Sequence, residues 1–383
     1  VGNGIQPSVL RSAGADDADL FIACASLDET NLTACKVARS VFGIQTTIAR
    51  LRSPEFEEGD EAVIHVHNQL KDQDTSLHWH GLLLPGLMDG VPGFNGFNGI
   101  KPKGDFVYKF KVRQSGTYWY HAHSKGQEQD GLYGSFVIYP KGKQPLATHE
   151  KAERDYVVML SDFHEKTSDQ IQKDLKISAE YYQDQRETLG DVWKQVKRDG
   201  IKATWSDHKM WNQMRMMPTD FTDLSGEKTF TYLMNGKTTA ANWTQLVKAG
   251  QPVKLRFING SAQTIFDVRI PGLKMKVVAT DGIDVSPVDI DDFRIGVAET
   301  YDVIVTPTKD AHTIFAQNID RSGYVATTLA TKKGARAAIP AMDKIEWLTM
   351  ADMMGAMGVN GYDARHAETE YDFKTDMRVD SPR

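Results

Sequence analysis

The chain has 383 residues, 40% of them hydrophobic and 25% charged, with a formal net charge of −6. That is the composition of an ordinary globular protein with room for two or three domains. The acidic balance offers no basic footprint for nucleic acid, and no apolar run approaches the length of a membrane span.

Residues 1–52 are the hardest to read. Asp19–Ala25 and Val37–Arg50 hold apolar stretches with β-branched residues, consistent with strands. Cys24 and Cys35 read as small buried or free side chains, although a disulfide between them stays open. From Glu58 the pattern sharpens. Glu58-Gly59-Asp60 is a turn, and Ala62–Asn68 alternates apolar and polar residues as a half-buried strand does. His65 and His67 fall on the face opposite Ala62, Ile64 and Val66 and read as exposed polar positions.

Two later segments carry paired histidines. Leu77–Met88 reads L-H-W-H-G-L-L-L-P-G-L-M, and Tyr118–Glu128 reads Y-W-Y-H-A-H-S-K-G-Q-E. In a strand, residues i and i+2 point to one face, so each His-x-His sends two imidazoles the same way. Side by side in one sheet, His78, His80, His121 and His123 would gather four imidazoles, a donor set suited to copper, zinc, iron or nickel. A lone histidine on an apolar strand is more often a structural residue; two such pairs in aromatic strands argue for a site.

Between and after these motifs, Asp105–Arg113 alternates again, Gln114-Ser115-Gly116 turns, and Gly134–Pro140 closes the first domain. Short strands with glycine turns indicate a Greek-key β-sandwich or barrel. Lys141–Glu150 is a polar linker and Tyr156–Leu160 opens a second β-domain. Lys166–Arg198 then shifts to helical period, with Ile171, Leu175, Ala179 and Tyr182 in step. This helical excursion continues through Asp207–Pro218, whose Met210, Met214, Met216 and Met217 are either core filling or soft Cu(I) ligands. Strands resume at Phe230–Asn235, Gln251–Asn259, Ile265–Ile270, Met275–Thr280 and Tyr301–Thr306. After about Lys332 the chain turns polar. Met350, Met353, Met354 and Met357 lie there among glycines that disfavour a helix, followed by a charged tail.

H-W-H-G-L-L-L-P-G-L-M-D-G-V-P and S-G-T-Y-W-Y-H-A-H-S resemble the first two copper-binding motifs of multicopper oxidases, and most closely those of the periplasmic copper-resistance protein A group. The resemblance runs from about Glu58 to about Thr331. Ala122 stands where that family usually has serine. The segments L-R-F-I-N-G, V-V-A-T-D-G and V-A-E-T-Y-D-V-I-V-T-P resemble the family's second domain, which carries no copper ligands.

The resemblance implies an all-β chain of two cupredoxin-like Greek-key β-sandwich domains, with the helical insertion in the second. Residues 1–145 would form the copper-motif domain. Residues 146–335 would form the second, with the insertion at about 165–218, and 336–383 a polar, Met-containing tail. It further implies copper as cofactor. His78 would bind the single copper of a trinuclear cluster, and His80, His121 and His123 the adjacent pair. Dioxygen would be reduced to water, with Cu(I) or a phenol-like compound as reductant, in the periplasm, any export signal having been removed or never present. Asp89, in M-D-G, matches an acidic residue expected to deliver protons, though it also reads as an ordinary Asp-Gly turn. Trp79 and Trp119 would pack around the site.

The family completes its cluster with two later histidine motifs, and no such motif occurs here. Either a C-terminal domain of a longer chain or another subunit would supply those ligands; the fragment is the favoured expectation. The rival functional readings are a copper-sequestering module without turnover, or a β-sandwich whose histidines are incidental.

Overall fold

The computed structural model describes residues 6–17, 20–23, 34–35, 37–38, 41–42, 46–49, 56–142, 154–178, 181–182, 187–217 and 229–345. Cys24, linker residues 143–150 and the methionines Met350, Met353, Met354 and Met357 lie outside them.

Near the N-terminus, helix α1 (Pro7–Ser12) precedes β1 (Leu20–Ala23), which pairs in parallel with β2 (Thr46–Ala49). Among the described residues of the stretch Val37–Arg50, the expected strand is found at Thr46–Ala49. Residues 34–35, 37–38 and 41–42 are helical instead. Ala34, Ala38 and Phe42 recur every four residues. Ala38 is fully buried in a small cluster with Leu10 and Ala15, against which Val37 and Phe42 pack. That four-residue spacing runs along one face of a helix.

The first β-body contains β3 (Phe56–Glu57), β4 (Glu61–His67), β5 (His78–His80), β6 (Asp105–Lys111), β7 (Gly116–His121) and β8 (Tyr133–Tyr139). A four-stranded sheet in the order β3-β8-β7-β5 and the β4-β6 pair enclose an aromatic core that includes Trp79, Tyr108, Phe110, Tyr118 and Phe136. β4 alternates as its sequence requires: Ala62 is buried, while His65 and His67 are exposed, and His67 pairs with Asp105 across the strand pair.

The second β-body is a two-sheet sandwich. β9 (Arg154–Phe163), β10 (Thr231–Met234), β12 (Val253–Asn259), β14 (Met275–Thr280), β15 (Ile283–Ile290) and β17 (Thr300–Val305) form one sheet in the order β10-β9-β12-β17-β14-β15. β11 (Thr244–Leu246), β13 (Phe266–Arg269), β16 (Asp292–Ile295), β18 (Ala311–Asn318) and β19 (Tyr324–Ala330) form the other, in the order β11-β19-β18-β13-β16. A large core between them holds Leu160, Leu255, Phe257, Phe266, Val303, Ile314 and Leu329.

Between β9 and β10 the described residues include three helices, α2 (Ser168–Ile177), α3 (Leu189–Asp199) and α4 (Ile201–Met214). The single helical run read over Lys166–Arg198 is thus divided. Thr167 with Gln170, and Thr188 with Asp191, form capping boxes that start α2 and α3 afresh. Gly200, at φ +84°, separates α3 from α4. Among the described residues, no helix is long and apolar enough to cross a membrane.

β12 joins the two bodies. All seven of its residues are buried, because one face meets the sandwich core and the other faces the first body. Leu255 and Phe257 take the core face, which leaves Arg256 on the other. Arg256 Nη1 donates to Asp302 Oδ2 and to Thr117 Oγ1, both at 2.7 Å. Its Nε and Nη2 fork onto Asp155 at 2.7–2.9 Å, and its guanidinium lies over the Tyr139 ring. Burial works against the charge, but Asp302 and Asp155 overcome it and hold the guanidinium above its ordinary pKa. Thr117 in turn donates to Asp302 Oδ1 at 2.6 Å. The strand that ends in His121 is therefore pinned to the second body by a buried, charge-assisted network. Replacing Arg256→Met strands Asp302 in the interior. It is expected to lower stability by about 3–5 kcal/mol, read as a reduced urea midpoint; a midpoint equal to the parent's would remove the network from the account of how the bodies are joined.

Candidate metal centre

β5 and β7 lie antiparallel with His78 opposite His121, Trp79 opposite Tyr120, and His80 opposite Trp119. Alternation sorts these residues onto two faces. Trp79 and Tyr120 go into the aromatic core, while His78, His80, Trp119 and His121 go to the other face. His123 follows two residues beyond His121, just past the strand end.

All four predicted histidines come together. The His78 ring lies 5.5, 5.4 and 5.1 Å, centroid to centroid, from those of His80, His121 and His123, and His121 is 5.0 Å from His123. His78, His80 and His121 each offer a nitrogen such that all three atoms lie within 4.8 Å of one another. His121 is buried, His78 and His80 are half-buried, and His123 is exposed at the rim. Of the tryptophans expected around the site, only Trp119 takes part. It stacks on His121 at 4.3 Å and on His80 at 5.1 Å, and packs behind them with Met159 and Ile258 of the second body. Trp79 sits one residue out of phase, and so faces the core instead.

The hydrogen-bond partners fix which ring nitrogens are free. His78 Nδ1 is 2.8 Å from the Asp89 carbonyl oxygen and 3.4 Å from its carboxylate. His121 Nδ1 is 3.3 Å from the Ala122 carbonyl oxygen and 2.8 Å from Glu128 Oε2. Facing acceptors only, each Nδ1 carries the proton and leaves Nε2 as the donor atom. His80 differs: its Nδ1 is turned inward, 3.2 Å from His121 Nε2. Asp89 reaches His78 because the short helical turn Gly86–Met88 folds back and Gly90 closes it. Gly90 has φ +78°, and a Cβ there would stand 1.8 Å from the Leu77 carbonyl oxygen, so only glycine fits. Glu128 was inside the second motif but carried no periodic or spacing signal of its own; only the folding of the following turn shows what it faces.

Burial, followed by the neighbouring His121 and His78, pushes His80 down to about 4, and burial also lowers His123. Imidazoles that refuse protons keep their lone pairs for a metal ion. The residues therefore fit a copper centre: neutral nitrogen donors converging from two strands, with carboxylates behind two of them. The insertion methionines Met210, Met214, Met216 and Met217 are half-buried. Cys35 is buried in the N-terminal segment.

Known proteins are similar to this chain over both β-bodies. Two family models, each described as multicopper oxidase, match residues 31–143 and 154–338. Copper resistance protein A of Escherichia coli is 50% identical over 329 residues, covering 85% of this chain and 53% of that protein. The copper resistance protein A homolog of Pseudomonas syringae pv. tomato is 49% identical over 312 residues, covering 82% of this chain and 52% of that protein. The chain thus spans about half the length of these curated relatives. The crystal structure of Fet3p, a multicopper oxidase, superposes with a TM-score of 0.55 at 22% identity, over 78% of this chain and 50% of that one, which speaks to the fold.

Because His80 resists protonation, its ring in the metal-free protein should stay neutral down to about pH 4 in an NMR titration. In the unfolded chain this imidazole takes up a proton below about pH 6.5 that the folded one refuses. The metal-free protein should accordingly lose stability as pH falls from about 6.5 towards 4. A His80 midpoint near 6.5 would contradict the buried, crowded environment.

Proposed function

Because this chain belongs to the multicopper oxidase family, whose cofactor is copper, we propose that His78, His80, His121 and His123 hold copper ions and that the chain is part of an oxidase that reduces dioxygen to water. The observation that supports this most is the meeting of four imidazoles on one sheet face, with three donor atoms inside 4.8 Å. The reductant is Cu(I) or a phenol-like compound. Cu(I) fits the copper-resistance names of the relatives, since its oxidation lowers its toxicity. In this reading residues 1–145 and 146–335 are the two domains, 336–383 is a polar tail, and the working compartment is the periplasm. A trinuclear cluster takes more donors than these four, so a C-terminal domain or another subunit completes it.

Bound copper supplies the one-electron redox steps. The chain's own residues do the rest. His78 and His121 present Nε2 because their Nδ1 protons are engaged by acceptors. Trp119 lines the rings and shuts water out of the side facing the second body. Asp89, with its side chain 27% exposed and Oδ1 3.4 Å from His78 Nδ1, reaches both solvent and the site. It takes up a proton at that carboxylate and passes it inward.

A second reading has the chain storing copper without turnover. It is favoured by one fact: among the described residues, only His78, His80 and His121 form a group of three or more closely placed donors.

Reconstitution with copper separates these readings. The chain should retain copper, and the double variant His78→Ala, His121→Ala should retain none. Zinc held in preference to copper, or copper retained by the double variant, would defeat the ligand assignment. In the full-length protein Asp89→Asn should keep its copper and slow oxygen uptake by about 10²-fold. Unchanged uptake would take Asp89 out of the reaction, and copper retention without any uptake by the parent would favour storage.

A further inference from the structure

Glu128 is the acidic residue behind His121. Its carboxylate is the nearest acceptor to His121 Nδ1, at 2.8 Å, with the Ala122 carbonyl oxygen farther off at 3.3 Å. At His78 the order is reversed, with the Asp89 carbonyl oxygen at 2.8 Å and the carboxylate at 3.4 Å. A backbone carbonyl thus suffices for His78, whereas His121 depends on a side chain.

The turn that carries Glu128 is held on both sides. Gln127 is buried; its Nε2 donates to the Asp74 carbonyl oxygen at 2.8 Å and its Oε1 accepts from Thr75 Oγ1 at 2.7 Å. Ser124 Oγ donates to Ser76 Oγ at 2.9 Å, and Ser76 Oγ also accepts from the His123 backbone N–H at 2.9 Å. These bonds tie the turn to the segment that leads into β5. On the other side Asp130 accepts from the Ser168 N–H and hydroxyl at 2.8 and 2.9 Å, at the start of α2. Gly126 packs so closely there that a Cβ would come within 2.1 Å of Ser168 Cβ. Glu128 lies between these anchors, with its side chain 26% exposed, so its carboxylate has little room to leave His121.

We propose that Glu128 is a positioning residue: it fixes the Nδ1–H tautomer of His121 and thereby aims Nε2 at the metal, beside His80 Nδ1. A carboxylate behind a ligating imidazole holds the ring's orientation and strengthens its donor nitrogen. The role at the metal rests on the copper reading; the tautomer does not. The helical excursion gains a purpose as well, since the first residue of α2 buttresses the turn that sets the ligand.

Two variants test this, Glu128→Leu and Glu128→Gln, the second keeping an acceptor oxygen without the charge. In metal-free protein labelled with ¹⁵N-histidine, His121 should be the Nδ1–H tautomer in the parent and in Glu128→Gln. In Glu128→Leu it should become a mixture. Copper affinity, measured by competition with a chelator, should fall about 10–100-fold in Glu128→Leu and less in Glu128→Gln, with the metal-free melting temperatures unchanged. An unaltered His121 tautomer in Glu128→Leu, or an affinity within about twofold of the parent, overturns the proposal. So does a loss that is equal in both variants and follows a fall in melting temperature. If the parent itself holds no copper, the copper reading fails, and the tautomer measurement still decides the role of Glu128.

Discussion

The site depends on one pairing, the antiparallel register that sets His78 opposite His121. Strand alternation alone gives each motif two imidazoles on a common face. It does not say that the two faces are the same face. A register slip of one residue would exchange the two faces of the strand and carry the imidazoles into the aromatic core. The core prevents the slip. Trp79, Tyr118 and Phe136 fill the space on the far side, and no imidazole could replace them without leaving a cavity and burying polar nitrogens. Aromatic packing on one face of the sheet is thus what fixes the donor geometry on the other.

A second constraint keeps β7 in place against the neighbouring body. Arg256, Asp302, Thr117 and Asp155 form a buried network at the start of the strand, and Trp119 packs on Met159 and Ile258 nearer its end. The ion pair would be costly to bury unaided, and its many hydrogen bonds offset that cost. The second body carries none of the site histidines, yet its sheet supplies the wall against which they stand. Its role here is to hold the strand, and the helices inserted between β9 and β10 extend the same support to the turn after His123.

The chemistry of the cluster follows from where each ring nitrogen finds a partner. His78 and His121 each have acceptors at Nδ1, and His80 offers Nδ1 to the interior. Crowding and burial keep His80 neutral well into the acid range. Converging imidazole nitrogens are a good place for a redox metal.

The all-β class, the helical excursion and the four histidines were legible in the residues alone, because each rests on local periodicity: two residues per repeat in strands and 3.6 in helices. The family resemblance in the two motifs added copper. Periodicity misjudged residues 37–38 and 41–42, where Ala38 joins a small buried cluster with Leu10 and Ala15. It also ran α2 and α3 together, since caps such as Thr188 with Asp191 act over only a few residues. It took the folded chain to show that Trp119 lines the rings while Trp79 does not, that Asp89 folds back onto His78, and that Glu128 faces His121. Each of those contacts joins residues brought together by a turn or a strand pairing, and a local pattern carries no information about which distant partner will be met.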